Sequence, residues 1–339
     1  LKWRGDKTVL LELPGRLIVP GFIDNHTHFL DGGFQLRSVD LRPARNEKDF
    51  AERLRQQAET LPAGQWITGG DWDHEVWPGA KLPAKELIDA VTPKTPVFVS
   101  RLDGHMGLAN SLALRLAGIT KSTPNPDGGM IVRDPKTGEP TGILKDSAQT
   151  LVSRLIPSAT PQEEDEALRT AMKEAARFGV TSVQDITSWS AFETFRRAQA
   201  ENRLTVRITA RTPLSTWEKQ AEWIRKHGAG DDWLRLSGFK AFMDGSLGST
   251  TAYFFEPYRD DPQTSGLLAS EAIPENQMLE RMLTADKAGL QLSIHAIGDR
   301  ANHMLLDLFE AVTKTNGPRD RRFRIEHAQH LRREDIPRF

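Results

Sequence analysis

The segment VPGFIDNHTHFLDGG (19–33) sets two histidines, His26 and His28, one residue apart behind an apolar run. Neutral imidazole offers a lone pair to a transition metal. On an extended backbone a His-x-His pair points both rings to one face, which Asp24 shares, while Asn25 and Thr27 take the other. Two more histidines end apolar runs: His295 in LQLSIHAIGDR (290–300), before a Gly-Asp turn, and His327 in FRIEHAQH (323–330). One histidine in such a place is ordinarily structural. Four at three strand ends point to metal chemistry at the C-terminal mouth of a parallel sheet, where barrel enzymes keep their reacting groups. His330 falls just outside, and His74, His227 and His303 read as surface residues.

Lys240 lies among apolar residues in LRLSGFKAFMDGSLGS (234–249). A lysine there can simply run its stem past the sheet. Buried beside cations, its amine would instead lose its proton, because desolvation and like charge both disfavour the ammonium. A neutral amine can add carbon dioxide to form a carbamate, and the two carbamate oxygens can bridge two metals. Lys145, in TGILKDSA, is the rival bridge.

These residues need strands to hold them. Apolar runs at 16–24, 180–186, 204–210, 234–243, 290–297 and 323–328 alternate with amphipathic runs at 161–179, 190–202, 216–228, 274–289 and 299–317. That alternation predicts parallel βαβ units. In order, the runs read as six strands of a (β/α)8 TIM-type barrel truncated after strand six. A doubly wound sheet is the alternative, but no glycine-rich phosphate fingerprint follows any strand. Residues 1–15 read as a remnant of a small β-sandwich domain and 16–339 as the barrel. Residues 30–179 form a long lid-like insertion after the first strand, with a helix at 47–61, strands at 65–70 and 96–101, a helix near 110–118 and a Pro/Gly-rich stretch at 123–142. Insertions of this length commonly shape binding sites. Trp72, Asp103, His105 and Asn110 within it are candidate substrate contacts, although packing between lid and barrel explains a Trp and a His equally well.

Composition bounds the rest. The 339 residues are 38% hydrophobic and 27% charged, with net charge −1. No global field attracts nucleic acid or an anionic membrane, and no apolar run nears the roughly 18 residues of a membrane span. The chain has no cysteine, so thiolate sites are excluded and a metal must use His, Asp, Glu or something rarer. The cytoplasm is the default compartment, though a signal peptide could have preceded Leu1. A homo-oligomer is compatible with the sequence.

PGFIDNHTH (20–28), SRLDGHMGLANSLALRLAGI (100–119), GGMIVRDPKTGEPTGIL (128–144), GFKAFMDGSLGS (238–249), SIHAIGDRA (293–301) and RIEHAQH (324–330) together resemble the amidohydrolase superfamily. The resemblance is to its YtcJ-like, N-substituted formamide deformylase-like branch and spans essentially the whole chain. It implies that His26 and His28 bind the more buried of two metals and that His295 and His327 bind the second. Lys240, carboxylated, would bridge them. Zinc is the implied ion, one or two per site, with other divalent cations as alternatives.

The implied activity is hydrolysis of amide-type C–N bonds in a small molecule, with Lys240, His295 and His327 at the reacting centre and metal-activated hydroxide as nucleophile. A cyclic amide, urea-like or ester bond on the same site is the neighbouring alternative, and a non-catalytic barrel protein is the alternative of another class. The family also places an aspartate at the end of the eighth strand as metal ligand and general acid–base. This chain stops before a seventh, so on its own it is expected to be poorly active.

Overall fold

In the computed structural model, which describes residues 3–62 and 64–339, six strands form one parallel sheet whose spatial order is its sequence order. They are Phe22–Thr27, Val180–Ile186, Arg207–Pro213, Leu234–Phe242, Gln291–Ala296 and Arg324–His327, and every neighbouring pair is parallel. Parallel neighbours require crossover connections. Helices Pro161–Arg177, Trp189–Ala200, Trp217–His227, Glu275–Lys287 and Asp299–Asn316 supply them. Local chemistry sets their ends. Thr160 and Glu163 form a reciprocal capping box around Pro161, Ser188 caps the next helix, and Gly317 closes the last at φ +79.

The sheet is curled. Laid flat, its first and sixth strands would stand about 24 Å apart, at roughly 4.8 Å per step. Instead His26 Nδ1 lies 2.6 Å from Glu326 Oε2, and Arg324 donates to the Asn25 carbonyl at 3.3 Å. The result is an α/β half-barrel. Its outer face packs Val183, Ile208 and Leu236 against helical Leu168, Phe192 and Phe195, and Leu292 and Ile294 against Met282, Leu305 and Leu308. The inner face carries polar groups. This asymmetry leaves the apolar driving force to the helix side and frees the strand ends for chemistry.

Several boundaries differ from the sequence reading. The first strand starts at Phe22 rather than residue 16; Pro20, which has no N–H to give a ladder, sits in exposed, irregular backbone before it. Residues 3–15 form no strand and are exposed, while Leu1 and Lys2 of the expected β-domain remnant lie outside the described residues. The long insertion builds a sheet of its own, ordered Val39–Asp40, Gly69–Trp72, Phe98–Arg101, Met106–Ala109, Pro140–Asp146, Gly129–Arg133. The Pro/Gly-rich stretch is therefore largely an antiparallel hairpin, whose turn is closed by Asp134 accepting from Lys136 N and Thr137 N. The separate unit has its own core around Phe50, Trp72, Trp77 and Met106. Helix Pro161–Arg177, at the end of the expected 30–179 insertion, packs instead into the core of the parallel sheet. No helix among the described residues is long and apolar enough to cross a membrane.

A short helix, Phe29–Gln35, follows the first strand and lies against Pro161–Arg177. Their close approach depends on Gly33, where a Cβ would fall 2.1 Å from the Ala167 carbonyl oxygen. Gly33→Ala should therefore destabilise the protein by about 1–3 kcal/mol, seen as a lower urea midpoint. A midpoint equal to that of the parent would show that the two helices separate without cost.

Candidate functional site

The strand ends converge on one chamber. His26 and His28 leave the first strand with ring centroids 5.9 Å apart. The His327 ring is 4.9 Å from His26 and 4.6 Å from His295. Lys240 and Phe242 come from the fourth strand, with Lys240 Nζ 4.1 Å above the Phe242 ring. A cavity of about 410 Å³ is lined by all four histidines, Lys240 and His105. A larger one of about 810 Å³ shares His28 and His105 and opens toward Asp31, Asp146 and Glu271.

Neighbouring residues orient these groups. Asp185, on the second strand, accepts from Phe29 N at 2.5 Å and from Thr27 Oγ1 at 3.3 Å, fixing the bend that carries His28. Fourth, fifth and sixth strands are in register so that Phe242 pairs with His295 and His295 with Glu326. Strict alternation would send His327 to the face opposite Glu326. His327 nevertheless lines the chamber, because it has φ +74 and Ala328 φ +44. Such backbone is costly for residues with a Cβ and persists where the surroundings over-determine it.

The electrostatics suit lone-pair donation. Burial, then the charges of Lys240 and nearby histidines, lowers His28 to about 4 even though its side chain reaches solvent. Burial, with His26 and Lys240, lowers His327 to about 4. Burial above all, then the charges of His105 and Lys240, holds His295 well below its ordinary value. Burial also brings the Lys240 ammonium down to about 8, which Glu326 and Glu271 partly oppose. Glu326 is buried, yet hydrogen bonds from His26 and Ser293 and the Arg324 charge outweigh that burial and hold its carboxyl at about 2.

Two ring tautomers are set from outside the chamber. A carboxylate only accepts, so the 2.6 Å contact to Glu326 puts the proton of neutral His26 on Nδ1 and leaves Nε2 as a lone pair. The Gly245 carbonyl, 2.8 Å from His295 Nε2, leaves Nδ1 of that ring free. Carboxylates and carbonyls behind imidazoles commonly fix metal-ligating histidines in this way. The donor set therefore fits a divalent metal. Among the described residues, however, no three His, Cys, Asp or Glu side chains form a single ready ligand sphere. The rings run in a chain, His28, His26, His327, His295, with centroids 5.9, 4.9 and 4.6 Å apart, and a further ligand such as a modified Lys240 would have to join them.

The candidate substrate contacts divide. Asp103 and His105 line both cavities. Trp72 does not: it is fully buried in the inserted unit, with Nε1 donating to the Val99 carbonyl at 3.0 Å. Asn110 is equally buried, capping helix Ser111–Leu116 and donating to Thr92 and Thr95. Both expectations are corrected for the same reason: these side chains close the inserted unit's core rather than the site. His74, read as a surface residue, is buried beside Trp72. Lys145 donates to the Ser249 carbonyl and lines neither cavity, so it is no bridge. Sequence reading missed Glu326, Asp146 and Glu271. Glu326 alone left a signal, as a carboxylate inside an otherwise apolar strand beside a histidine.

The sequence profile of the amidohydrolase family (Amidohydro_3) matches residues 10–339. LONG AFTER FAR-RED 3 of Arabidopsis thaliana is 42% identical over 99% of this chain and 59% of its own length. A Bacillus subtilis protein named as an amidohydrolase, YtcJ, is 31% identical over 99% of this chain and 63% of its own. The N-substituted formamide deformylase of Arthrobacter pascens is 29% identical over 94% and 60%. The crystal structure of an uncharacterized metal-dependent hydrolase from Pyrococcus horikoshii superposes with TM-score 0.66 at 29% identity, covering 94% of this chain and 60% of that one. The chain thus spans about three-fifths of the length of the curated relatives it matches.

Glu326→Gln should weaken divalent-metal binding by about 10- to 100-fold, the usual effect of losing the group behind a ligating histidine. Competition against a chromogenic chelator measures this. Parent-like affinity would mean that Glu326 does not orient His26 for a metal.

Proposed function

The chain belongs to the amidohydrolase family, and from that premise we propose that it is a metal-dependent hydrolase of amide-type C–N bonds in the N-acyl or N-formyl amine class. The observation that carries this reading is the gathering of His26, His28, His295, His327 and Lys240 around one cavity at the strand ends, with the tautomers of His26 and His295 set from behind. His26 and His28 would hold one ion, His295 and His327 the other, and Lys240, as a carbamate, would lie between them. A divalent metal pair there, zinc being well suited to imidazole and oxygen ligands, would supply Lewis acidity to acidify water and polarise a carbonyl.

The protein's own groups serve that chemistry. Among the described residues no carboxylate forms an ion pair with Lys240, and burial lowers its ammonium although Glu326 and Glu271 partly oppose this. Glu326 and Gly245 keep a lone pair on His26 and His295 directed away from their hydrogen bonds. Asp103 and His105, from the inserted unit, stand where substrate would enter between the two cavities. Asp103 is itself tied to Arg101 at 2.7 Å and Ser246 at 2.6 Å, which joins the insertion to the loop after the fourth strand. On this reading the half-barrel is part of a (β/α)8 barrel and the inserted sheet is its lid. The N-formyl end of the substrate range draws on the name of the Arthrobacter relative.

The plant relative's name states no reaction, so a barrel that keeps the histidines without catalysis is the competing reading. Metal content separates the two. The parent protein should bind close to two equivalents of zinc, falling below one in His26→Ala/His28→Ala and in Lys240→Ala. Growth with ¹³C-bicarbonate should give a carbamate resonance that Lys240→Ala lacks, and chelation should abolish hydrolysis across a panel of N-formyl and N-acyl amines. Metal content unchanged in those variants would sink the assignment of the ligands, and a zinc-loaded full-length protein inert on the whole panel would favour the non-catalytic barrel.

A further inference from the structure

His105 and Asp146 form a part-buried pair that the proposed metal chemistry does not use. His105 precedes the inserted strand Met106–Ala109, and Asp146 ends the strand Pro140–Asp146. Their segments are clipped together twice. Asp146 N donates to the His105 carbonyl at 2.8 Å, and His105 Nδ1 lies 2.7 Å from Asp146 Oδ1. Asp103 Oδ1 accepts from His105 N at 3.1 Å, fixing the approach from the other side. Asp146 adopts φ +49, ψ −124, a backbone state that a residue with a Cβ rarely occupies without compensation. Its second oxygen, Oδ2, is buried without a hydrogen-bond partner among the described residues.

This framework aims the imidazole at the site. The His105 ring is 5.1 Å from His295 and 6.4 Å from Phe242, and it borders both cavities. Because Asp146 accepts the Nδ1 proton, neutral His105 presents only a lone pair at Nε2. No protein group among the described residues hydrogen-bonds that nitrogen. An oriented acceptor at the junction of the chambers recognises a donor on the substrate and is mismatched to a carbonyl oxygen or an N-methyl group. Sites built around such a hydrogen bond reject analogues that lack the donor.

We propose that His105, positioned by Asp146, is a specificity-determining residue that accepts a hydrogen bond from the substrate's amide N–H, so that the site selects N-monosubstituted amides over their N,N-disubstituted counterparts. The proposal rests on the amide-hydrolase reading above and names the substrate class of the same site. It also gives the inserted unit a defined task, which is to supply the acceptor that reads the nitrogen of the bond to be cleaved.

The test uses the metal-free chain as well as the zinc-loaded one. Long-range ¹H–¹⁵N correlation of histidine-labelled protein, with His105 assigned by its loss in His105→Phe, should show the Nδ1–H tautomer in the parent and a shift toward Nε2–H in Asp146→Asn. Binding of N-butylacetamide and N-butyl-N-methylacetamide, followed by ligand-observed NMR, should favour the N–H amide by about tenfold in the parent. Both His105→Phe and Asp146→Asn should lose most of that preference while retaining parent-like metal content. An Nε2–H tautomer in the parent, equal binding of the two amides, no binding of either, a preference surviving in His105→Phe, or loss of zinc in that variant would each overturn the proposal. Absence of hydrolysis with the binding preference intact would count against the hydrolase reading and leave this inference standing.

Discussion

The contact between His26 and Glu326 constrains the rest of the site. It joins the first and sixth strands of the parallel sheet, 300 residues apart in sequence, across 2.6 Å. That distance exists only because the sheet curls, and the curl makes the ends of separate strands neighbours. The same carboxylate accepts from Ser293 and Arg324, so the fifth and sixth strands are bound into one polar seam beneath the histidines. A buried carboxylate would ordinarily be costly. Here its three partners let it remain ionised and act as the floor on which His26 is oriented.

The division of labour between the two faces of the sheet follows. Apolar helices cover the convex side, and their packing carries the stability of the unit. The concave side is thereby released from core duty and can hold Lys240, His295 and Glu326 in positions that would be untenable singly. Each of the three moves away from its ordinary protonation behaviour for a stated reason: burial lowers Lys240 and His295, whereas hydrogen bonds and charge override burial at Glu326. Perturbed titratable groups gathered in one cleft mark a candidate functional site.

What the sequence disclosed was set by which signals are local. His26, His28, Lys240, His295 and His327 were legible because each interrupts or ends an apolar run, and a polar residue there needs explanation. The βαβ alternation was legible for the same reason, since period and length are local. Trp72 and Asn110 were misread because aromatic and amide side chains near a loop look alike whether they face a cavity or close a core; only the assembly of the second sheet, of which the sequence placed two strands, decides. Asp146 left no trace at all. Its importance comes from a backbone conformation and from pairing with His105 across 41 residues, and neither has a pattern along the chain. Glu326 lies between, being conspicuous as an acid within FRIEHA but assignable only once the sheet is known to curl.

The strained positions locate where fold and chemistry compete. Left-handed backbone at His327, Ala328 and Asp146 is unneeded for a regular strand end, where extended or turn geometry would serve without strain. At His327 the strain turns an imidazole that alternation would have directed away from the chamber. At Asp146 it holds an acceptor behind His105. The two sites lie on different sheets, one in the half-barrel and one in the inserted unit, yet both direct a ring toward His295. Core packing offers no reason for two independent sheets to bend their backbones toward the same buried imidazole. A shared requirement at that point does, and the cavity there is lined from both sheets, with the inserted unit forming one of its walls.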